Sequence, residues 1–201
     1  MNSAQPLPPV LAPPGAGLPM VELWVARLLF RSRLALASRA AVEQKIAAEE
    51  RRVLELARGC GDGVARQRVL IDRLRGLEDS SRSWSVWMTL DHLRIVNLGV
   101  ARAIDTLLAG KIPAGRADTA QVKPSPEVDG RVVPAFEESC HALLAAGRDA
   151  DSLVTSLKYA HPWFGPLNAE AWKFLGAFHL GLHRRQIEVI LRQVTVAGTE
   201  T

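Results

Sequence analysis

Residues 168–192 constrain the fold of this chain more than any other stretch, because they have the pattern of one long, half-buried helix. Asn168 is a favourable N-cap residue, since its side-chain oxygen can accept from a free N–H of the first turn. Large side chains then recur at three- and four-residue steps from Trp172 to Ile190, the period of a helix with one buried face. His179 and His183 are four residues apart, so both imidazoles project from the same side. Such a pair can converge on one metal ion, although many helices carry one incidentally.

The composition favours helices packing on helices. Hydrophobic residues make up 48% of the 201 residues and aromatic residues only 5%, so the apolar content is mainly leucine, alanine and valine. A chain of this length can bury the core of one domain with appended segments. We therefore expect an all-α fold, and we find no strand-like alternation of useful length and no internal repeat.

Breaks in composition divide the chain into four parts. Residues 1–19 are rich in proline, alanine and glycine and are expected to form a disordered tail. An additional N-terminal helix is expected over residues 20–39, a helical bundle domain over residues 40–192 and a C-terminal tail over residues 193–201. Almost nothing interrupts the helical pattern between residues 20 and 58, which Gly61 and Gly63 then end.

Further helices are predicted over residues 64–76, 85–109 and 134–158. Ser85 can cap the second of these and Gly110 can end it, while Gly147 is a weak point within the third. Small residues at Gly99 and Ala103 predict the close approach of a neighbouring helix. Residues 110–133 form a connection rich in proline and glycine that is longer than an ordinary bundle loop, which is typical of a functional or mobile segment.

Charge and cysteine content argue against several classes of protein. The formal net charge is +4, but the arginines are spread along the chain without a basic block, so we do not expect a nucleic-acid partner. Cys60 and Cys140 are isolated, which predicts free thiols in the reducing cytoplasm. The N-terminus lacks the pattern of a secretory signal, and residues 20–36 are too charged and too short to span a bilayer, so no membrane partner is expected.

Residues 20–36 are more apolar than a free surface helix should be. We expect Trp24, Leu28 and Leu29 to cover part of the bundle or to contact a second subunit. A homodimer is therefore one prediction from the sequence.

Three histidines are candidate metal ligands. His92 lies on the helix predicted over residues 85–109, while His179 and His183 lie on the last helix. If these helices are antiparallel neighbours, the three rings can meet in the core of the bundle. Three neutral imidazoles with vacant coordination positions suit Zn, Ni, Fe or Mn. The alternative is that these histidines only pack, and the residues alone leave both interpretations open.

Two motifs resemble a known family. Residues 83–93, SWSVWMTLDHL, resemble the Trp-Ser-x6-His-Leu start of the second bundle helix in the DinB/YfiT-like family of metal-dependent proteins. Residues 161–190, HPWFGPLNAEAWKFLGAFHLGLHRRQIEVI, are similar to the turn and last helix of that family. The resemblance covers roughly residues 40–192 and implies a four-helix bundle in an up-down-down-up order. It also implies a divalent metal ion at His92, His179 and His183, the three positions that match the family's ligands.

The resemblance implies a metal-dependent transferase or hydrolase that activates a thiol or water and acts on an unidentified small-molecule substrate. No second motif for a thiol cofactor is present, and no other catalytic residue is identified. Gln186 is expected to contact a metal ligand or to lie in the polar core, His161 to tie its turn together, and Trp163 to form a pocket wall. The rival interpretations are a non-catalytic helical interaction module, in which the histidines only pack, and a regulatory protein that senses a metal and binds a partner through residues 20–36.

Overall fold

The structure, a computed structural model, describes residues 10–199, with side chains up to residue 195. This part of the chain forms six α-helices: α1 (Met20–Leu36), α2 (Arg39–Gly59), α3 (Asp62–Arg66), α4 (Val86–Leu108), α5 (Val132–Ala145) and α6 (Ala169–Thr199). It also contains a 3-10 turn at Asp79–Ser81 and an antiparallel hairpin of β1 (Tyr159–His161) and β2 (Gly165–Leu167). Within the described residues, the helices are not long and apolar enough to cross a membrane.

Helices α2, α4, α5 and α6 pack side by side around one apolar core. Each contributes fully buried side chains, represented by Ile46 of α2, Leu90 of α4, Phe136 of α5 and Leu180 of α6. The burial of such aliphatic and aromatic groups is the main favourable contribution to folding. The prediction of an all-α four-helix bundle is therefore confirmed.

Contacts near the helix ends define the directions of the four helices. Arg39 at the start of α2 donates to the carbonyl of Gly147 beyond the end of α5 at 2.8 Å, so α2 and α5 are antiparallel. The Gly147 N–H also donates to Asp105 near the end of α4 at 3.2 Å, so α4 and α5 run parallel. Lys173 near the start of α6 pairs with Glu43 near the start of α2 at 3.0 Å, which makes these two helices parallel. The order is the expected up-down-down-up.

The two helices that carry the histidines begin where the capping residues predicted. The Asn168 Oδ1 accepts from the N–H of Ala171 at 2.9 Å, and the Ser85 Oγ accepts from the N–H of Met88 at 3.2 Å. These bonds satisfy N–H groups that have no partner inside the helix. Gly110 has a φ of +71°, a left-handed conformation that ends α4.

The prediction of a helix over residues 64–76 is wrong, since only the short helix α3 is helical there. The Ile71 N–H instead donates to the carbonyl of Arg82 at 3.0 Å, and the Arg82 guanidinium donates back to the Ile71 carbonyl at 2.8 Å. Ile71 and Leu77 are both buried along this irregular path. Long-range contacts thus satisfy the backbone and bury the apolar side chains without a helix.

The helix predicted over residues 134–158 is correct only in its first half, because α5 ends at Ala145. Gly147 has a φ of +67°, which turns the chain out of the helix. The buried amine of Lys173 donates to the carbonyls of Leu144 at 3.1 Å and Ala146 at 2.9 Å. These charge-assisted bonds replace the next helical turn and suit the negative end of the helix dipole.

Both ends of the chain differ from the prediction. The continuous helical pattern over residues 20–58 is interrupted, because Ser38 caps α2 by accepting from the N–H of Ala41 at 3.2 Å. Residues 10–19 lie against the bundle, where the Ala12 N–H donates to Asp79 at 2.7 Å, whereas residues 1–9 of the expected disordered tail lie outside the described residues. Helix α6 continues to Thr199 through most of the expected C-terminal tail, and residues 200–201 lie outside the described residues.

The apolar side chains of α1 point mostly to solvent. Trp24, Leu28 and Leu29 are 68%, 67% and 47% exposed, so the expectation that they cover the bundle is wrong. Phe30 is the buried residue of this helix, and its ring stacks on Phe164 with centroids 4.5 Å apart. The contact of α1 with a second subunit stays a prediction.

Candidate metal centre

Three imidazoles meet between α4 and α6. The Nε2 atoms of His92 and His179 are 3.1 Å apart. The ring of His183 lies with its centroid 4.5 Å from that of His92 and 4.4 Å from that of His179. Each ring offers one nitrogen within 4.8 Å of the others. The antiparallel packing of α4 and α6 therefore brings residues that are distant in sequence to a single point.

Hydrogen bonds on the far side of two rings fix which nitrogen carries the proton. The Nδ1 of His92 lies 2.6 Å from the carbonyl oxygen of Val122, which can only accept, so Nδ1 carries the hydrogen. The Nδ1 of His183 lies 2.7 Å from the Oε1 of Gln186. Gln186 is oriented by its own amide N–H, which donates to the carbonyl of Ser81 at 2.7 Å. In both rings the Nε2 lone pair is left to face the cluster, as in histidines that bind a metal.

His179 faces His92 through its Nε2. Its Nδ1 is buried and has no hydrogen-bond partner among the described residues. Two imidazole nitrogens that bind one divalent ion at about 2.0–2.1 Å lie about 2.9–3.4 Å apart. The 3.1 Å between His179 and His92 falls within that range. The donor set and its spacing therefore fit a divalent metal ion.

The environment keeps all three rings neutral at pH 7. Burial, together with the smaller effect of the positive charge of Lys123, lowers the pKa of His92 to about 4, although the hydrogen bond to Val122 opposes this shift. Burial likewise holds the pKa values of His179 and His183 well below the ordinary value of a histidine. A neutral imidazole is the form that binds a metal, so no proton has to be displaced from the cluster near neutral pH.

Three residues beside the cluster were missed by sequence reasoning. Trp84 stacks on His183 with ring centroids 6.0 Å apart and an angle of 15°. The Nζ of Lys123 lies 5.5 Å from the Trp84 ring centre and pairs with the buried carboxylate of Glu78. Trp84 belongs to the same Trp-Ser-x6-His-Leu motif as His92, which was a signal that could have found it. Lys123 and Glu78 lie in irregular segments whose sequence carried no such signal.

Comparison with known proteins assigns the family. The family model of the DinB superfamily matches residues 45–187 of the sequence. The chain belongs to the DinB superfamily. This match includes His92, His179 and His183, whereas α1 precedes it. No curated protein and no solved structure shows significant similarity to the chain.

In this DinB bundle a cavity of about 610 Å³ leads from the three histidines to the surface. Its walls are α4, α6, the connection after α4 and the β1–β2 hairpin. Gly99 and Ala103 of α4 line the cavity, and a Cβ added at Gly99 would meet no atom within 4 Å. The prediction that another helix closely approaches these small residues is therefore wrong at Gly99, because they leave space for the cavity.

His161 and Trp163 lie in the cavity wall of the DinB bundle, apart from the three-histidine cluster. The Nδ1 of His161 accepts from the N–H of Trp163 at 3.1 Å, which ties the turn between β1 and β2. Arg27 of α1 donates to the carbonyl of Trp163 at 2.6 Å. Helix α1, which precedes the family match, thus helps to hold one wall of the cavity.

A second cluster of ionisable side chains has donor atoms close enough to bind a cation. Glu50, Glu137 and His141 place their ligand atoms within 4.8 Å of one another, on α2 and α5. His141 is exposed and lies 3.6 Å from the carboxylate of Glu50. This group does not line the cavity, so it provides a comparison for experiments on the buried histidines.

Proposed function

We propose that this DinB-superfamily protein binds one divalent metal ion through His92, His179 and His183 and acts as a metal-dependent transferase or hydrolase. The observation that supports this proposal most is the convergence of three neutral imidazoles at the base of a cavity, with two of their Nδ1–H groups already engaged. Imidazole ligands suit Zn, Ni, Fe or Mn. The substrate is a small molecule that enters the cavity.

A divalent ion at this position would supply a Lewis acid that makes a bound water or thiol more acidic. The protein's own groups fix the site around it. The Val122 carbonyl and the Gln186 amide hold two rings in one tautomer, and Trp84 covers the cluster. Lys123 lines the cavity and is held by Glu78 and by the Ser80 hydroxyl at 2.9 Å, so its amine has a fixed position beside the cluster.

The rival interpretation is a helical interaction module in which the histidines only pack. A buried polar nitrogen without a partner is unfavourable by about 1–3 kcal/mol. The Nδ1 of His179 is such an atom within the described part of the chain. A metal ion held by the Nε2 atoms would leave this nitrogen unpartnered as well, so it does not decide between the two interpretations. The convergence of three neutral imidazoles, two of them engaged on the far side through Nδ1–H, supports the metal-binding interpretation.

Elemental analysis of protein purified without an affinity tag tests metal binding. We expect close to one Zn, Ni, Fe or Mn per chain, and loss of that metal in His179→Ala with unchanged helical circular dichroism. His141→Ala is the matched control and should retain the metal, since it removes an exposed histidine of the Glu50, Glu137 and His141 group. Wild-type protein that neither contains nor takes up a divalent metal would refute the proposal.

A cobalt-substituted sample tests whether the metal has a coordination position open to substrate. Addition of 2-mercaptoethanol should produce a thiolate-to-cobalt charge-transfer band in the wild type, because three histidines leave at least one position vacant. No spectral change at saturating thiol would argue for a closed structural site and against catalysis.

A further inference from the structure

The rim of the cavity carries an excess of positive charge. Arg102 of α4 and Lys111 and Arg116 of the following connection line the cavity, and all three are exposed. None of them forms an ion pair with a residue in the part of the chain whose side chains are described. The rim is therefore not neutralised by the protein itself.

The acidic residues of the cavity do not offset these cations. Among the described residues that line it, only Glu78 and Asp118 are acidic. Glu78 is already paired with Lys123, deep in the structure. Asp118 accepts from the N–H of Ala120 at 2.8 Å and is the other acidic residue among the described lining residues.

The interior of the cavity between this rim and the histidines is largely apolar. Val96, Val100 and Leu175 line it, and Gly99 leaves its middle open. A volume of about 610 Å³ is that of a site for a small organic molecule. Cations above low-dielectric walls focus their field and attract anions, and arginine matches the oxygens of carboxylates and phosphates.

We propose that the cavity binds a small molecule with an apolar body and a terminal carboxylate or phosphate. The anionic group faces Arg102, Lys111 and Arg116, and the opposite end reaches the three histidines. This substrate class rests on the proposed function for the role of the histidines. Recognition of the anion does not require the metal, so the two proposals can fail separately.

Calorimetric titration of metal-free protein at low salt tests the proposal with three probes: 4-phenylbutyrate, 4-phenylbutyl phosphate and the neutral 4-phenylbutanol. We expect at least one anion to bind about tenfold more tightly than the alcohol, and this difference to shrink in 0.5 M NaCl because salt screens exposed charges. Tighter binding of the phosphate would indicate a phosphorylated substrate, and tighter binding of the carboxylate a carboxylic acid. Equal affinities for all three, or no binding of any, would overturn the proposal.

The triple variant Arg102→Gln/Lys111→Gln/Arg116→Gln should bind the anions no better than the alcohol while its affinity for the alcohol stays unchanged. If it keeps the wild-type preference for anions, the rim cations are not the recognition site and the proposal is wrong.

A second triple variant, Arg31→Gln/Arg33→Gln/Arg148→Gln, is the matched control, since it removes the same charge from exposed positions outside the cavity. It should keep the preference for anions, and an equal loss in this control would show that only net charge matters.

Gly99→Leu should weaken binding of all three probes by filling the cavity; unchanged affinities would place the probes elsewhere. Anion preference in a wild type that neither contains a divalent metal as purified nor takes one up would contradict the proposed function alone.

Discussion

Replacement of Gln186 by leucine should weaken metal binding without any change in the metal ligands. Gln186 is fully buried and makes two hydrogen bonds through its amide. Its Oε1 accepts from the Nδ1–H of His183 at 2.7 Å, and its N–H donates to the carbonyl of Ser81 at 2.7 Å. Leucine has a similar size but can form neither bond, so His183 loses the contact that fixes its tautomer and orientation.

The magnitude follows from the groups that lose their partners. Loss of a hydrogen bond behind a metal-binding histidine lowers metal affinity about 10- to 100-fold, which is about 1.4–2.7 kcal/mol. In addition, two buried polar groups become unsatisfied, each unfavourable by about 1–3 kcal/mol. Since leucine contributes some apolar burial, we expect the free energy of unfolding of the metal-free protein to fall by about 2–4 kcal/mol.

Chelator competition measures the metal affinity of Gln186→Leu, and urea titration of the metal-free protein measures its stability. The matched control is Asn97→Leu, because Asn97 is also a fully buried amide on a bundle helix but donates to Ser139 at 3.2 Å, away from the histidines. This control should keep its metal affinity. Equal affinities in Gln186→Leu and the wild type would refute the role of Gln186 in holding His183.

Three further outcomes are expected. Burial lowers the pKa of His161 from 6.5 to about 4. The stabilisation from its neutral ring is therefore complete above pH 6.5, and up to about 3 kcal/mol of it is lost as the pH falls toward 4. In urea titrations His161→Asn should lose less stability than the wild type over that interval. Lys173→Met should lower the free energy of unfolding by about 3 kcal/mol, because it leaves buried carbonyls unpaired. The control Lys45→Met, at a half-exposed ion pair, should change the free energy of unfolding by less than about 0.5 kcal/mol. Sedimentation should reveal a dimer at micromolar concentration that Trp24→Ser/Leu28→Ser converts to a monomer, and a monomeric wild type would exclude association through α1.

The parts of the fold that sequence reasoning predicted are those set by local chemistry. Ser85 and Asn168 cap their helices through bonds three residues away, and the apolar period of α4 and α6 extends over several turns. The four-residue spacing of His179 and His183 is likewise a local property. That His92 joins them depended on the family resemblance, because no local pattern defines which helices are neighbours.

The errors fall where distant contacts override local preference. Residues 64–76 have a helical apolar pattern, yet the backbone of Ile71 pairs with Arg82 across the chain. The C-terminal end of α5 combines the local signal of Gly147 with the distant amine of Lys173, a residue 28 positions beyond Ala145. Two of the three cations at the rim of the cavity, Lys111 and Arg116, lie in an irregular segment, so periodicity could not reveal their meeting with Arg102 of α4.

Anomalous diffraction at the absorption edge of the metal found by elemental analysis tests the central claim most directly. The account predicts one anomalous peak at about 2.0–2.2 Å from the Nε2 atoms of His92, His179 and His183. A peak beside Glu50, Glu137 and His141 instead, or rings of the three histidines without a common peak in metal-loaded crystals, would contradict it.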